Sequence, residues 1–92
     1  MNSALHSTFP IITEEIQALL AEDGRHVESI EPSMHLLREL GLSSLLLARL
    51  VLNLESRFGI DPFSESHSIT EAQTVDDLAR IYAETSAAPA AA

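Results

Sequence analysis

Cysteine, lysine and tryptophan are all missing from this chain of 92 residues. Without cysteine there is no disulfide, no thiolate nucleophile and no cysteine-bound zinc. A disulfide-free chain of this size fits a reducing cytoplasm. Without lysine, positive charge comes only from five arginines, set against 14 acidic side chains for a net charge of −9. An acidic chain repels the phosphates of nucleic acids and of anionic lipids, so neither is an expected partner, whereas a basic protein surface is. No run reaches the roughly 18–20 apolar residues that span a membrane. The opening MNSALHSTFP has no basic stretch followed by an apolar one, so no signal peptide is expected there.

A chain of this length is one domain and buries roughly 60–65% of the surface its unfolded form would expose. Such a core has no room for a deep pocket plus a catalytic scaffold, which favours carrying or binding over catalysis; a monomer is the default for a free-standing carrier of this size, while an extra apolar stripe on one helix could instead support a dimer. Residues 1–11 show no periodicity and contain Pro10, so they are expected as a flexible N-terminal arm. Residues 12–85 form the domain. The tail 86–92 (SAAPAAA) is of low complexity and is expected to fray, with Pro89 blocking helix extension.

Three helical segments lie between these ends. Thr13 is a candidate N-cap for a helix over about 14–23, where Ile16, Leu19 and Leu20 make one apolar stripe. Ser43 and Gly59 bracket a second helix over 44–58. A third runs over 75–84, with Thr74 and Asp77 spaced as a capping box and Val75, Leu78, Ala79 and Tyr82 as its stripe. The long connection 24–43 carries Val27, Ile30, Met34, Leu36, Leu37 and Leu40, which can lie over the core, with a helical turn expected near Met34–Glu39. No run alternates in the manner of a strand, so the chain reads as an all-α bundle with one long crossover loop.

The second helix has more apolar residues than a core contact needs. Leu47, Leu50, Val51, Leu54 and Phe58 form one stripe on a wheel of 100° per residue. Leu45, Ala48 and Leu52 form another, about 100–160° around from Leu47. A small bundle can hardly bury a helix on every side, so the second stripe is a candidate docking surface, unless the 24–43 loop covers it. It begins beside Ser44, at a helix start where free backbone N–H groups and the helix dipole favour an anion. A serine there can simply cap the helix, or it can accept a phosphoryl-type group.

The stretch Leu40-Gly41-Leu42-Ser43-Ser44-Leu45, followed by Leu54-Glu55 and Phe58-Gly59-Ile60, resembles the acyl carrier protein family, which also includes the peptidyl carriers. That family's signature reads L-G-x-D-S-L ahead of a helix ending L-E-x-x-F-G-I. Thr74-Val75-Asp76-Asp77-Leu78 resembles its T-V-x-D-L. The likeness covers about residues 13–84. It implies a four-helix bundle with a short third helix near 64–71. It also implies that a phosphopantetheinyl transferase places 4′-phosphopantetheine on Ser44, and that the arm holds an acyl or aminoacyl group as a thioester for loading and downstream biosynthetic enzymes. The stripe Leu45, Ala48 and Leu52, with Ser43 and Arg49, matches the face that the family presents to its partners.

Two departures from the family bear on function. Ser43 stands where the family has aspartate, which still caps a helix but alters a position that transferases read. The second helix holds Arg49, Glu55 and Arg57, a net +1, where fatty-acid carriers show several carboxylates. That balance favours a specialised polyketide or nonribosomal peptide pathway over fatty-acid synthesis. A serine hydrolase would need one of His6, His26, His35 or His67 beside Ser44, and no G-x-S-x-G elbow is present. No spacing of metal ligands occurs either. The remaining rival is a carrier-like adaptor that binds proteins through the second helix and is never modified.

Overall fold

The computed structural model of the protein describes residues 3–87 apart from Ser66. Its elements in chain order are α1 (Ser3–Glu22), α2 (Ser44–Phe58), α3 (Pro62–Glu65), a 3-10 turn (Ile69–Glu71) and α4 (Val75–Ala87). This is the expected all-α four-helix bundle. Among the described residues the only β pairing is an isolated antiparallel bridge between His35 and Thr74.

The first helix begins far earlier than its local signals suggest. Residues 3–11, expected as a flexible arm, belong to α1, and Pro10 lies inside it. The reason is tertiary. Thr8, Ile12, Ile16 and Leu20 recur every four residues and are all buried. The Thr8 hydroxyl donates to the Ala79 carbonyl of α4 at 3.2 Å, so its burial leaves no orphan donor. Pro10 removes one helix bond at an exposed position, which costs about 3 kcal/mol. Burial of Ile12 and partial burial of Phe9 and Ile11 outweigh that, at roughly 1.5–3 kcal/mol for each fully buried side chain. Thr13 is therefore mid-helix and not an N-cap; its hydroxyl donates back to the Pro10 carbonyl at 2.9 Å. At the other end, Ser86 and Ala87 continue α4 as helix, and residues 88–92 of the expected tail lie outside the described residues.

α1 packs most extensively on α4, less on α2, while α3 rests on α4. The expected stripes meet in one core: Ile16, Leu19 and Leu20 from α1, Leu50 and Leu54 from α2, and Val75, Leu78, Ala79 and Tyr82 from α4. The 24–43 connection is pinned along its length. Gln17 of α1 donates to the Val27 carbonyl at 3.1 Å. The Leu36 and Val75 amides exchange bonds with the Gln73 and Met34 carbonyls at 2.8 and 3.0 Å. Leu36, Leu40 and Leu42 are buried, whereas Leu37, expected over the core, points outward. Glu39 and Leu40 donate to the His35 carbonyl, which forms the expected turn.

The window expected for the third helix, near 64–71, holds the end of α3 and the whole 3-10 turn, and α3 itself begins two residues earlier. Asp61 accepts from the Phe63 amide at 3.2 Å and Pro62 takes the first helical position, a cap-then-proline start that places α3 at Pro62–Glu65. Phe63 stands edge-on to Tyr82 at 6.0 Å, and Phe58 lies 5.2 Å from the same ring.

Tyr82 is fully buried and its hydroxyl has no hydrogen-bond partner among the described residues. An unmet buried hydroxyl costs on the order of 1–3 kcal/mol, so Tyr82→Phe is expected to stabilise the fold by about 1 kcal/mol, read by urea denaturation. Burial, then the charges of Asp61 and Glu55, push the phenol above its ordinary value of 10.0. Above that value the unfolded chain loses this proton while the folded chain keeps it. Stability therefore falls as pH rises past about 10, and Tyr82→Phe is expected to remove that alkaline slope.

Candidate functional site

Ser43 sets the start of α2. Its backbone is extended, at φ −75° and ψ 168°, and its hydroxyl accepts from the Leu46 amide at 3.1 Å. Ser44 follows as the first helical residue and is exposed. Capping is thus done by Ser43, and among the described residues the Ser44 hydroxyl has no histidine or carboxylate partner. His35, the histidine nearest to it in sequence, instead accepts the Arg38 amide on Nδ1 at 3.2 Å. This arrangement lacks the base that a hydrolase needs. It leaves a free hydroxyl in the first turn of a helix of 15 residues, beside N–H groups that favour an anion.

The second stripe of α2 is open to solvent. Leu45 is 71% exposed and Leu52 62%, with exposed Ala48 between them. The 24–43 loop does not cover it. Arg49 borders this face and pairs with Glu22 of α1 at 3.0 Å. Arg57 reaches both Glu15 and Glu14, at 2.6 and 3.2 Å, and Glu15, then Glu14, hold its guanidinium above the ordinary arginine value. Both α2 arginines therefore face α1 carboxylates, and the net +1 of the helix does not make its outer face basic.

A cleft of about 400 Å³ lies beside the site. Its walls are His35 and Leu37 from the long connection, Leu47 from α2, and Ile69, Thr70, Ala72 and Gln73 from the segment before α4. Leu47 is three residues after Ser44 and so shares its side of the helix. It is half-buried, packing on the core while lining the cleft, instead of lying wholly in the core stripe. Leu37 and Ile69, 47% and 41% exposed, form apolar parts of the rim.

Two reciprocal caps hold the far wall. Ser68 and Glu71 exchange side-chain and backbone bonds around the 3-10 turn. The His67 ring, then the Ser68 amide, hold the Glu71 carboxyl below its ordinary value. Thr74 and Asp77 do the same at α4: the Asp77 amide donates to the Thr74 hydroxyl, and the Thr74 amide to the Asp77 carboxylate, both at 3.0 Å. The Thr74–Asp77 box is as the spacing predicts. The S-x-x-E spacing of Ser68 and Glu71 carries the same signal, but no periodic segment follows it, and sequence reasoning passed over it. It also passed over Leu37 and Ile69 as a rim. No cluster of potential metal ligands is present among the described residues.

A model of the phosphopantetheine attachment site family matches residues 14–81, a span that contains Ser44, the cleft and the exposed face of α2. The chain belongs to the acyl carrier protein family. Its fold is similar to the solution structure of MacpD, an acyl carrier protein from Pseudomonas fluorescens involved in mupirocin biosynthesis. The two are 36% identical, with a TM-score of 0.82, over 98% of this chain and 79% of that one. No curated protein matches the chain. The cofactor of such a carrier is 4′-phosphopantetheine, delivered by a transferase, and its partners are biosynthetic enzymes. Carriers of this type are generally not catalytic. No helix among the described residues is long and apolar enough to cross a membrane.

Proposed function

We propose that Ser44 is the attachment residue and that the chain carries acyl or aminoacyl intermediates in a specialised polyketide or nonribosomal peptide pathway. The observation that carries this reading is the free, exposed Ser44 hydroxyl at the start of α2, with capping already supplied by Ser43. The residues fit the group: an anion is favoured at this helix start, and the apolar cleft shares the side of Leu47. In the loading reaction the Ser44 oxygen bonds to the phosphorus that bears the pantetheine. The pyrophosphate bond of coenzyme A breaks, adenosine 3′,5′-bisphosphate leaves, and the hydroxyl proton passes to a base of the transferase. Once attached, the arm supplies a terminal thiol that holds cargo as a thioester.

The chain's own part is presentation. Leu45, Ala48 and Leu52, bordered by Ser43 and Arg49, offer an apolar docking face two turns long next to that oxygen. Because the α2 arginines are engaged by α1 carboxylates, this face is neutral and apolar in place of acidic. It suits enzymes that dock through apolar contact more than those with basic patches. MacpD is involved in mupirocin biosynthesis, which supports the specialised pathway.

The test is intact mass after incubation with coenzyme A and a broad-range phosphopantetheinyl transferase. The expected result is a gain of one phosphopantetheinyl group per chain. A chain that gains nothing would leave an unmodified adaptor that binds partners through the α2 face.

A further inference from the structure

We infer that Arg25 is the positioning residue that holds Ser44 in place for its modification. The inference rests on Ser44 being the attachment residue. The turn before α2 is made by Gly41, whose φ of +66° lies in the left-handed region that glycine occupies without strain. That turn directs the Leu40 and Gly41 carbonyls away from any ladder, and among the described residues no backbone amide donates to either. Arg25 meets both. Its Nη2 donates to Leu40 at 2.6 Å and its Nη1 to Gly41 at 3.1 Å. A charged donor makes these stronger than ordinary amide bonds. Arg25 has no carboxylate partner among the described residues, so its guanidinium is committed to this pair of carbonyls.

The guanidinium also lies close against the glycine. A Cβ at position 41 would stand 3.0 and 3.1 Å from its two terminal nitrogens. Position 41 is thus restricted by its φ, and a side chain there would also push the guanidinium by a few tenths of an ångström. The other end of the arginine is fixed too, because its amide donates to the Leu20 carbonyl at 2.8 Å. A continuous set of bonds therefore runs from the last turn of α1 through Arg25 to Gly41. Two residues later Ser43 accepts from Leu46 and starts α2. One side chain ties the beginning of the 24–43 connection to its end, where the hydroxyl must be presented.

Attack on a phosphorus centre depends on the oxygen being held in line, and small misplacement slows such steps steeply. Arg25 lies outside the exposed α2 face, so its loss is expected to act on the turnover and not on docking. In Arg25→Ala, kcat for transfer by the broad-range enzyme is expected to fall by about tenfold, with KM for the carrier unchanged. Hydrogen exchange of the Leu46 amide, measured on the unmodified chain, is expected to speed by about tenfold while the Leu78 amide in the core stays protected. Arg25→Lys, which can reach one carbonyl, is expected to recover part of both. Ala83→Gly in α4 serves as a control that destabilises the bundle at a distance.

Transfer to Arg25→Ala at the unaltered kcat, or an unaltered Leu46 exchange rate, overturns the inference. So does an equal fall in kcat in Ala83→Gly. Failure of the unaltered chain to accept the group would overturn the assignment of Ser44 itself, which separates the two claims.

Discussion

Ser44→Ala is expected to abolish phosphopantetheinylation completely, while Ser43→Ala is expected to keep it at a reduced rate. The two serines are adjacent and chemically alike, so the contrast isolates their positions. The Ser43 oxygen is already an acceptor for the Leu46 amide, and turning it toward a transferase would undo the cap. Loss of such a cap costs about 1 kcal/mol, which frays the first turn of α2 but leaves the Ser44 hydroxyl in the chain. The Ser44 oxygen makes no bond that holds the fold, so its removal is expected to leave the melting temperature nearly unchanged while removing the only bond-forming atom. Intact mass read beside a thermal melt checks both halves. A modified Ser44→Ala, or an unmodified Ser43→Ala that still folds, would move the attachment point. Ser43 also stands where the signature that the sequence resembles has aspartate. Ser43→Asp keeps the cap, so any gain in transfer rate reports recognition alone.

The parts of this molecule that were legible in its sequence are those that local physics decides. α2 and α4 have a cap, a stripe and, for α2, a terminal glycine within a few residues of one another, and the helices start where those signals stand. The exposed stripe of α2 was legible for the same reason, since two apolar faces on one short helix cannot both be buried in so small a bundle. The start of α1 was not. Pro10 is a strong local breaker, and what overrides it is burial of Thr8 and Ile12 against α4, some seventy residues away in the chain. The split of the expected third helix into α3 and a 3-10 turn was not legible, because four residues are too few for a stripe and the start of α3 is marked by the Asp61-Pro62 pair alone. The exposed position of Ser44 at the start of α2 was legible from the cap signal of Ser43, but the cleft beside it was not. Its walls come from three segments brought together by the bundle, so no single window of sequence describes it. Arg25 was hidden for a related reason: its partners are carbonyls, which every residue has.

The two faces of α2 are expected to answer substitution in opposite ways. Leu54 is fully buried between the packed helices, and Leu54→Ala removes its contacts and leaves a void. Such changes cost roughly 2–5 kcal/mol. That is a large share of the roughly 5–10 kcal/mol available to a domain of this size. A fall in melting temperature of about 10–20 °C is expected, since each kcal/mol moves a small domain by about 4–8 °C. Leu52 lies two residues away on the same helix but is 62% exposed. Leu52→Glu is expected to change stability by no more than about 0.5 kcal/mol, as for other surface sites. Its effect falls on partners instead. A leucine taken from water into an interface contributes about 1.5–3 kcal/mol, and a carboxylate in its place is left without a partner. Loading of cargo onto the modified carrier is therefore expected to weaken by tens-fold, seen as a rise in KM. Leu45, two turns before Leu52 and more exposed still, is expected to behave the same way. A large drop in melting temperature for Leu52→Glu would place that side chain in the core. Unaltered loading kinetics in both Leu45→Glu and Leu52→Glu would mean that partners approach Ser44 from another side.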